Sequence, residues 1–150
     1  MKRTILFSLT LIIMATIAFG CCNCRKAQRS IRALIGTEWQ LVQIMAHDVE
    51  CEDGTYTLLF HDNGTVTGMG DCNHITATFA TNAERKLLIE NIGTTRRYCP
   101  NHEQENAFLD MLEAVTHYEM DGQIMLLLSN GTLVGMMEAR PLNNKEEVER

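Results

Sequence analysis

At 150 residues, 45% hydrophobic and 21% charged, the chain is long enough for one globular domain with one core and too short for several. Its formal charge of −6 conceals a sharper imbalance: Gly36 to Arg140 carries sixteen acidic residues against five basic ones, a formal −11. That argues against nucleic acid, whose binding depends on a basic surface.

The chain begins with Lys2 and Arg3, continues through an apolar run from Ile5 to Phe19, and reaches Gly20-Cys21. A basic start before so short an apolar run reads as an export signal over residues 1–20, not as a membrane span. Gly20 before Cys21, with Ala18 upstream, resembles the processing box of bacterial lipoproteins. That resemblance implies lipidation of Cys21, with Cys22 as a rival and an ordinary secreted protein as the alternative. Residues 21–35 then form a lipidated N-terminus and a basic tether containing Arg25, Lys26, Arg29 and Arg32, attracted to anionic headgroups.

The domain is expected over residues 36–140. Thr37 to Met45 is the first strand, with Trp39, Leu41 and Val42 as core candidates. Ala46 to Gly54 is acidic and turn-like, which places Cys51 on a loop. Tyr56 to Phe60 and Thr65 to Met69 form a hairpin about Asp62-Asn63-Gly64. Gly68 and Gly70, on the approach to Cys72, mark a bulge or a close backbone approach. In His74 to Phe79, Ile75, Ala77 and Phe79 alternate with His74, Thr76 and Thr78, so one face is apolar.

Lys86 to Ile92 gives a further strand, and Thr94 to Cys99 is extended up to Pro100. One helix follows, with Asn101 as N-cap, Gln104 at the capping-box position, and Glu103 and Glu105 near the positive end of its dipole. Its Phe108, Met111, Leu112 and Val115 recur at helical spacing and must be buried against the sheet. Tyr118 to Met120, Gln123 to Leu128 and Thr132 to Met137 form a meander with turns at Asp121-Gly122 and Asn130-Gly131. Ile124 to Leu128 is continuously apolar and is expected to be a central strand covered on both faces. Residues 141–150 are a charged tail, expected to be disordered.

The sharpest chemical constellation is Cys72-Asn73-His74 with Cys99-Pro100-Asn101-His102. Two Cys-His pairs could ligate tetrahedral zinc, and a cysteine beside a histidine and an asparagine superficially matches a nucleophile with its base. Behind an export signal, a Cys72–Cys99 disulfide is the better default, with buried free thiols and a metal site as alternatives. No hydrolase signature surrounds either cysteine, and no carboxylate spacing identifies an acid–base pair. The expectation is therefore no enzymatic activity, no cofactor and no bound metal.

Trp39-Gln40-Leu41, Gly68, Cys72-Asn73, Thr95, Cys99-Pro100 before a helix, Tyr118 and Asp121-Gly122 occur in an order that resembles the META domain family, which includes the heat-shock protein HslJ. The resemblance spans roughly Gly36 to Met137. It implies an α+β, mainly β fold, in which a strongly curved antiparallel sheet, close to a half-open barrel, wraps one helix. Trp39, Gly68, Asn73 and Thr95 are then structural motif residues. Arg97-Tyr98 stands where the family often has Met-Ala. Many family members are envelope lipoproteins associated with stress and secretion, and none has an established enzymatic activity. The function implied is a lipid-anchored module of the cell envelope, an outer-membrane lipoprotein facing the periplasm, that meets a protein partner. The alternative is a barrel-like binder of a small hydrophobic ligand, with methionines such as Met111, Met120, Met125, Met136 and Met137 as an adaptable lining.

Overall fold

A computed structural model describes residues 31–140; the leader, Cys21, most of the tether and the charged tail lie outside the described residues. Among the described residues, nine strands and one helix follow one another: β1 (Glu38–Ile44), β2 (His47–Asp48), β3 (Thr57–Phe60), β4 (Thr65–Met69), β5 (His74–Thr81), β6 (Leu87–Thr94), α1 (His102–Ala114), β7 (His117–Asp121), β8 (Ile124–Ser129) and β9 (Thr132–Ala139). They pair antiparallel in the order β6-β5-β4-β3-β1-β9-β8-β7, with β2 appended to β1.

The hairpins follow from local turn chemistry. Gly64, Gly122 and Gly131 supply positive φ at three of the connections, where a side chain would be strained. Curvature comes from register shifts in the β1–β9, β5–β6 and β8–β9 pairs. It brings the two ends of the sheet together at one point. There Lys86 bridges His117, Leu87 N–H donates to Thr116 O at 2.9 Å, and Tyr118 N–H donates to Arg85 O at 3.0 Å. The sheet stops short of a closed barrel, as the half-open expectation requires.

Alternation along each strand sends one face inward. In β5, Ile75 and Ala77 are buried while His74, Thr76 and Thr78 are exposed; in β6, Leu87 and Ile89 are buried while Leu88 and Glu90 are exposed. Helix α1 lies in the concavity, against β6, β1 and β9. Phe108, Met111, Leu112 and Val115 are each 0–1% exposed there, as the helical spacing predicts, and each stabilises the fold by about 1.5–3 kcal/mol. Trp39 is fully buried, and its Nε1–H donates to Leu34 O at 3.1 Å.

Three expectations need correction. β8 is not covered on both faces: Met125 and Leu127 are buried, but Ile124, Leu126 and Leu128 are half-buried. It lies second from the sheet's end, and the helix covers only the inner face. The folded part also begins before Gly36. Leu34 is buried, Arg32 N–H donates to Gly122 O, and Ile35 bridges Phe60, so the last residues read as tether belong to the domain. Finally, Asn101 occupies the N-cap position but makes no side-chain capping bond, because its amide is turned toward Asp71.

Gly68 is required by the β3–β4 crossing. A Cβ there would run into the Thr57 carbonyl oxygen and lie 3.1 Å from Leu58 Cδ2. At Gly135 the nearest obstacle is the flexible end of Met111, with the Gln43 carbonyl oxygen farther off at 3.3 Å. Gly68→Ala is therefore expected to cost about 2–3 kcal/mol, more than Gly135→Ala, in urea denaturation, because a side chain can move aside and a paired backbone cannot.

Candidate functional site

The β4–β5 connection, Gly70-Asp71-Cys72-Asn73, turns tightly, with Gly70 N–H donating to Asn73 O at 2.7 Å. Glu105, one turn into α1, reaches into it and is 6% exposed. Its Oε2 accepts from Asp71 N–H at 2.8 Å and Cys72 N–H at 3.3 Å, and its Oε1 accepts from Asn73 Nδ2 at 2.6 Å. Three N–H donors replace the water that the carboxylate gives up. Gly70 leaves room for it: a Cβ there would strike the Glu105 carboxylate.

Asn73, 4% exposed, carries the connection onward. Its Oδ1 accepts from Arg97 N–H at 2.8 Å and Thr95 Oγ1–H at 2.9 Å, while Nδ2 also donates to Arg97 O at 3.2 Å. The same Thr95 Oγ1 accepts from His74 N–H at 3.0 Å. Cys72 and Cys99 form a disulfide with Cα atoms 5.7 Å apart, closing a 27-residue separation. A loop of that length stabilises by about 3.5 kcal/mol in the chain-entropy account. Asp71 completes the anchorage, since Asn101 N–H and Nδ2 donate to its two oxygens at 3.1 and 3.2 Å.

The segment held by these bonds, Thr95 to Pro100, presents Arg96, Arg97 and Tyr98 to solvent. Tyr98 is 88% exposed, with its ring 5.8 Å from that of His102. Neither arginine enters an ion pair among the described residues, where Arg140 alone does so, with Glu38 and Asp53. An exposed triplet is thus fixed at its base.

Asn73, Thr95, Cys72 and Cys99, singled out by sequence, converge in one network; Trp39 and Gly68 serve the sheet instead. The zinc arrangement is excluded in this form because the disulfide consumes both sulfurs, and His74 is exposed on β5. Glu105 and Asp71 were missed. Glu105 lies three residues before Phe108 and seven before Leu112, so a carboxylate on the buried face of α1 was the available signal.

Beside the network, Cys51 is half-buried, with its thiol donating to Leu41 O at 3.4 Å, and burial pushes its pKa up to about 11. Tyr56, 2% exposed, is also shifted upward, first by burial, then by the charges of Asp71, Cys51 and Glu105, and last by a side-chain hydrogen bond with Asp71.

The META domain family's sequence profile matches residues 32–141, and the chain belongs to that family. No curated protein matches it in sequence. Among solved structures, a DUF4847-family protein from Bacteroides vulgatus superposes with a TM-score of 0.53 at 17% identity, over 72% of this chain and 94% of that one. A protein from Burkholderia xenovorans, solved by NMR, gives 0.54 at 24% identity, over 71% and 83%. These likenesses establish the fold alone.

The network predicts a cost for its central carboxylate. Glu105→Ala leaves the Asp71 and Cys72 amides and the Asn73 side chain short of an acceptor, and is expected to lower stability by about 3 kcal/mol in non-reducing urea denaturation. The raised thiol and phenol predict a pH effect of definite sign. The unfolded chain ionises Cys51 near its ordinary 9.0, whereas the fold holds it protonated up to about 11. Stability from this source is complete below pH 9.0 and falls as pH rises toward about 11, which thermal melts across that range will show.

Proposed function

We propose that this META domain is a non-enzymatic, lipid-anchored module of the bacterial cell envelope that supports envelope integrity or stress tolerance by contacting another protein. The observation that carries this reading is the Arg96-Arg97-Tyr98 segment, exposed yet fixed by Asn73 and the Cys72–Cys99 disulfide. Arginine and tyrosine dominate the energetic centres of protein interfaces, and a pre-ordered loop loses less conformational entropy on docking. The disulfide fits an oxidising compartment outside the cytoplasm. No helix among the described residues is long and apolar enough to cross a membrane. In this reading the anchor is the acyl group on Cys21.

Catalysis finds little to use here: the candidate nucleophiles are joined to each other, and both Glu105 oxygens are engaged by amides. A hydrophobic ligand in the concavity is also disfavoured, because α1 fills it. Met111, Met125 and Met137 are fully buried core residues, although Met120 and Met136 are half-buried.

A photoreactive amino acid placed at Tyr98 in intact cells is expected to yield a discrete crosslinked protein that is absent when the probe sits at exposed Thr67 on β4. Identical products at both positions, or none at Tyr98, would contradict the proposal. The mature N-terminus, measured by mass, is expected to be acylated Cys21.

A further inference from the structure

Strand β8 carries more apolar surface than the fold covers. Met125 and Leu127 are buried on the inner side, whereas Ile124, Leu126 and Leu128 alternate to the convex face and are half-buried. The register continues that face sideways in three rows. Leu126 stands between Met136 and Glu119, Leu128 between Leu133 and His117, and Ile124 between Glu138 and Asp121. Gln43 and Gln40 of β1 extend the first and third rows. Elsewhere the same sheet keeps the ordinary pattern, with His74, Thr76 and Thr78 turned outward from β5. The apolar stripe is therefore local to β8 and its neighbour β9, and such a stripe on an outer face marks a surface that meets something. It is not flat. Hollows of about 330 Å³ and about 500 Å³ lie at its two ends, the first bordered by Leu128, His117 and Glu119, the second by Val42, Gln40 and Glu138. Its border is acidic: Glu119, Asp121 and Glu138 are exposed and enter no ion pair among the described residues. Two arginines reach the hollows. Arg140 is engaged by Asp53 and Glu38, and Arg85 stands beside Glu84.

We propose that the convex face of β7, β8 and β9 is a docking surface distinct from the Thr95–Pro100 segment, and that its occupant is a basic amphipathic helix of a partner protein. Apolar side chains of that helix seat on Ile124, Leu126, Leu128 and Met136, and its flanking lysines or arginines meet Glu119, Asp121 and Glu138. The dimensions agree: Ile124 to Leu128 spans about 14 Å, and apolar residues at i, i+3, i+4 and i+7 of a helix cover about 10.5 Å. Charge selects the occupant. A second copy seated on the same face would set carboxylates against carboxylates. An anionic lipid surface is repelled by the same border. This chain's own basic tether enters the fold close by, where Arg32 N–H donates to Gly122 O. From Cys22 to Ser30, however, it offers no leucine, isoleucine, valine, phenylalanine or methionine to fill the stripe. A partner that supplies both basic charge and apolar side chains meets both requirements. The inference stands on the sheet register and does not rest on the Arg96-Arg97-Tyr98 segment.

The test is titration of the purified full chain, followed by fluorescence anisotropy, with two labelled helical peptides of about three turns. Both carry one leucine stripe, flanked by lysines in the first peptide and by glutamates in the second. The lysine peptide is expected to bind with a Kd below about 100 μM, and the glutamate peptide at least about tenfold more weakly. Leu126→Thr on β8 and Met136→Gln on β9 are each expected to weaken the lysine peptide at least about fivefold, and Glu119→Gln about threefold. Glu90→Gln removes the same charge from the outer side of β6 and is expected to leave the affinity unchanged. No binding, equal affinity for the two peptides, unchanged affinity in both Leu126→Thr and Met136→Gln, or an equal loss in Glu90→Gln would each overturn the proposal. A wild-type dimer in sedimentation that is lost in Leu126→Thr would assign the face to a second copy and overturn it. Tighter peptide binding after Arg25→Gln, Lys26→Gln and Arg29→Gln together would assign the face to the tether, and would overturn it too. None of the variants touches Arg96, Arg97 or Tyr98, so failure here leaves the reading above intact, and a missing crosslink at Tyr98 leaves this face intact.

Discussion

A buried carboxylate organises the β4–β5 connection and the segment that leads into α1. Burying Glu105 without partners would cost several kcal/mol, and the cost is offset only because the β4–β5 turn aims two backbone N–H groups and the Asn73 amide at it. That requirement propagates. Gly70 must lack a side chain to admit the carboxylate, Asn73 must direct its nitrogen inward, and its oxygen is then left to fix Arg97 and Thr95. The disulfide closes the same circuit covalently. The helix, the turn and the segment before the helix are thereby held in one geometry, which sheet pairing alone would not impose.

The rest of the molecule is conventional core. A curved antiparallel sheet presents alternate residues to a single amphipathic helix, and the large side chains Trp39, Tyr56, Phe60 and Phe108 fill the space between. In the interaction reading proposed above, recognition falls to the rim of this core. There Arg96, Arg97 and Tyr98 project to solvent just before Cys99, while Glu50, Glu52 and Asp71 line a cavity that Cys72 and Asn101 also border. They differ in charge, and on a domain carrying −11 the arginine pair is a local exception.

Much of the fold was legible because periodicity and turn chemistry act locally. The alternation in His74 to Phe79, the helical stripe from Phe108 to Val115 and the glycines at Gly64, Gly122 and Gly131 each determine their own element. Where reading by segment failed, distant groups decided. Continuous hydrophobicity in Ile124 to Leu128 cannot say how many layers cover a strand. The N-cap at Asn101 was visible, but its turn toward Asp71, thirty residues away in sequence, was not. The pairing of Cys72 with Cys99 was readable as the default behind an export signal, with free thiols and a metal site left open until the fold brought the two sulfurs together. Glu105 looked like a favourable charge near the start of a helix, and only its register with Phe108 and Leu112 hinted that it faces inward.

The central claim, that Glu105 and Asn73 hold the Thr95–Pro100 segment in place, is tested most directly by amide hydrogen exchange of the oxidised chain, comparing wild type with Glu105→Gln. Glutamine keeps the length but turns an N–H₂ group toward donors that need an acceptor. The amides of Asp71 and Arg97 are expected to be protected in the wild type and to exchange markedly faster in the variant, while strand amides in β8 and β9 keep their protection. Unchanged exchange at Arg97 with the disulfide intact would contradict the claim, and would mean that the sulfur bridge alone fixes the segment.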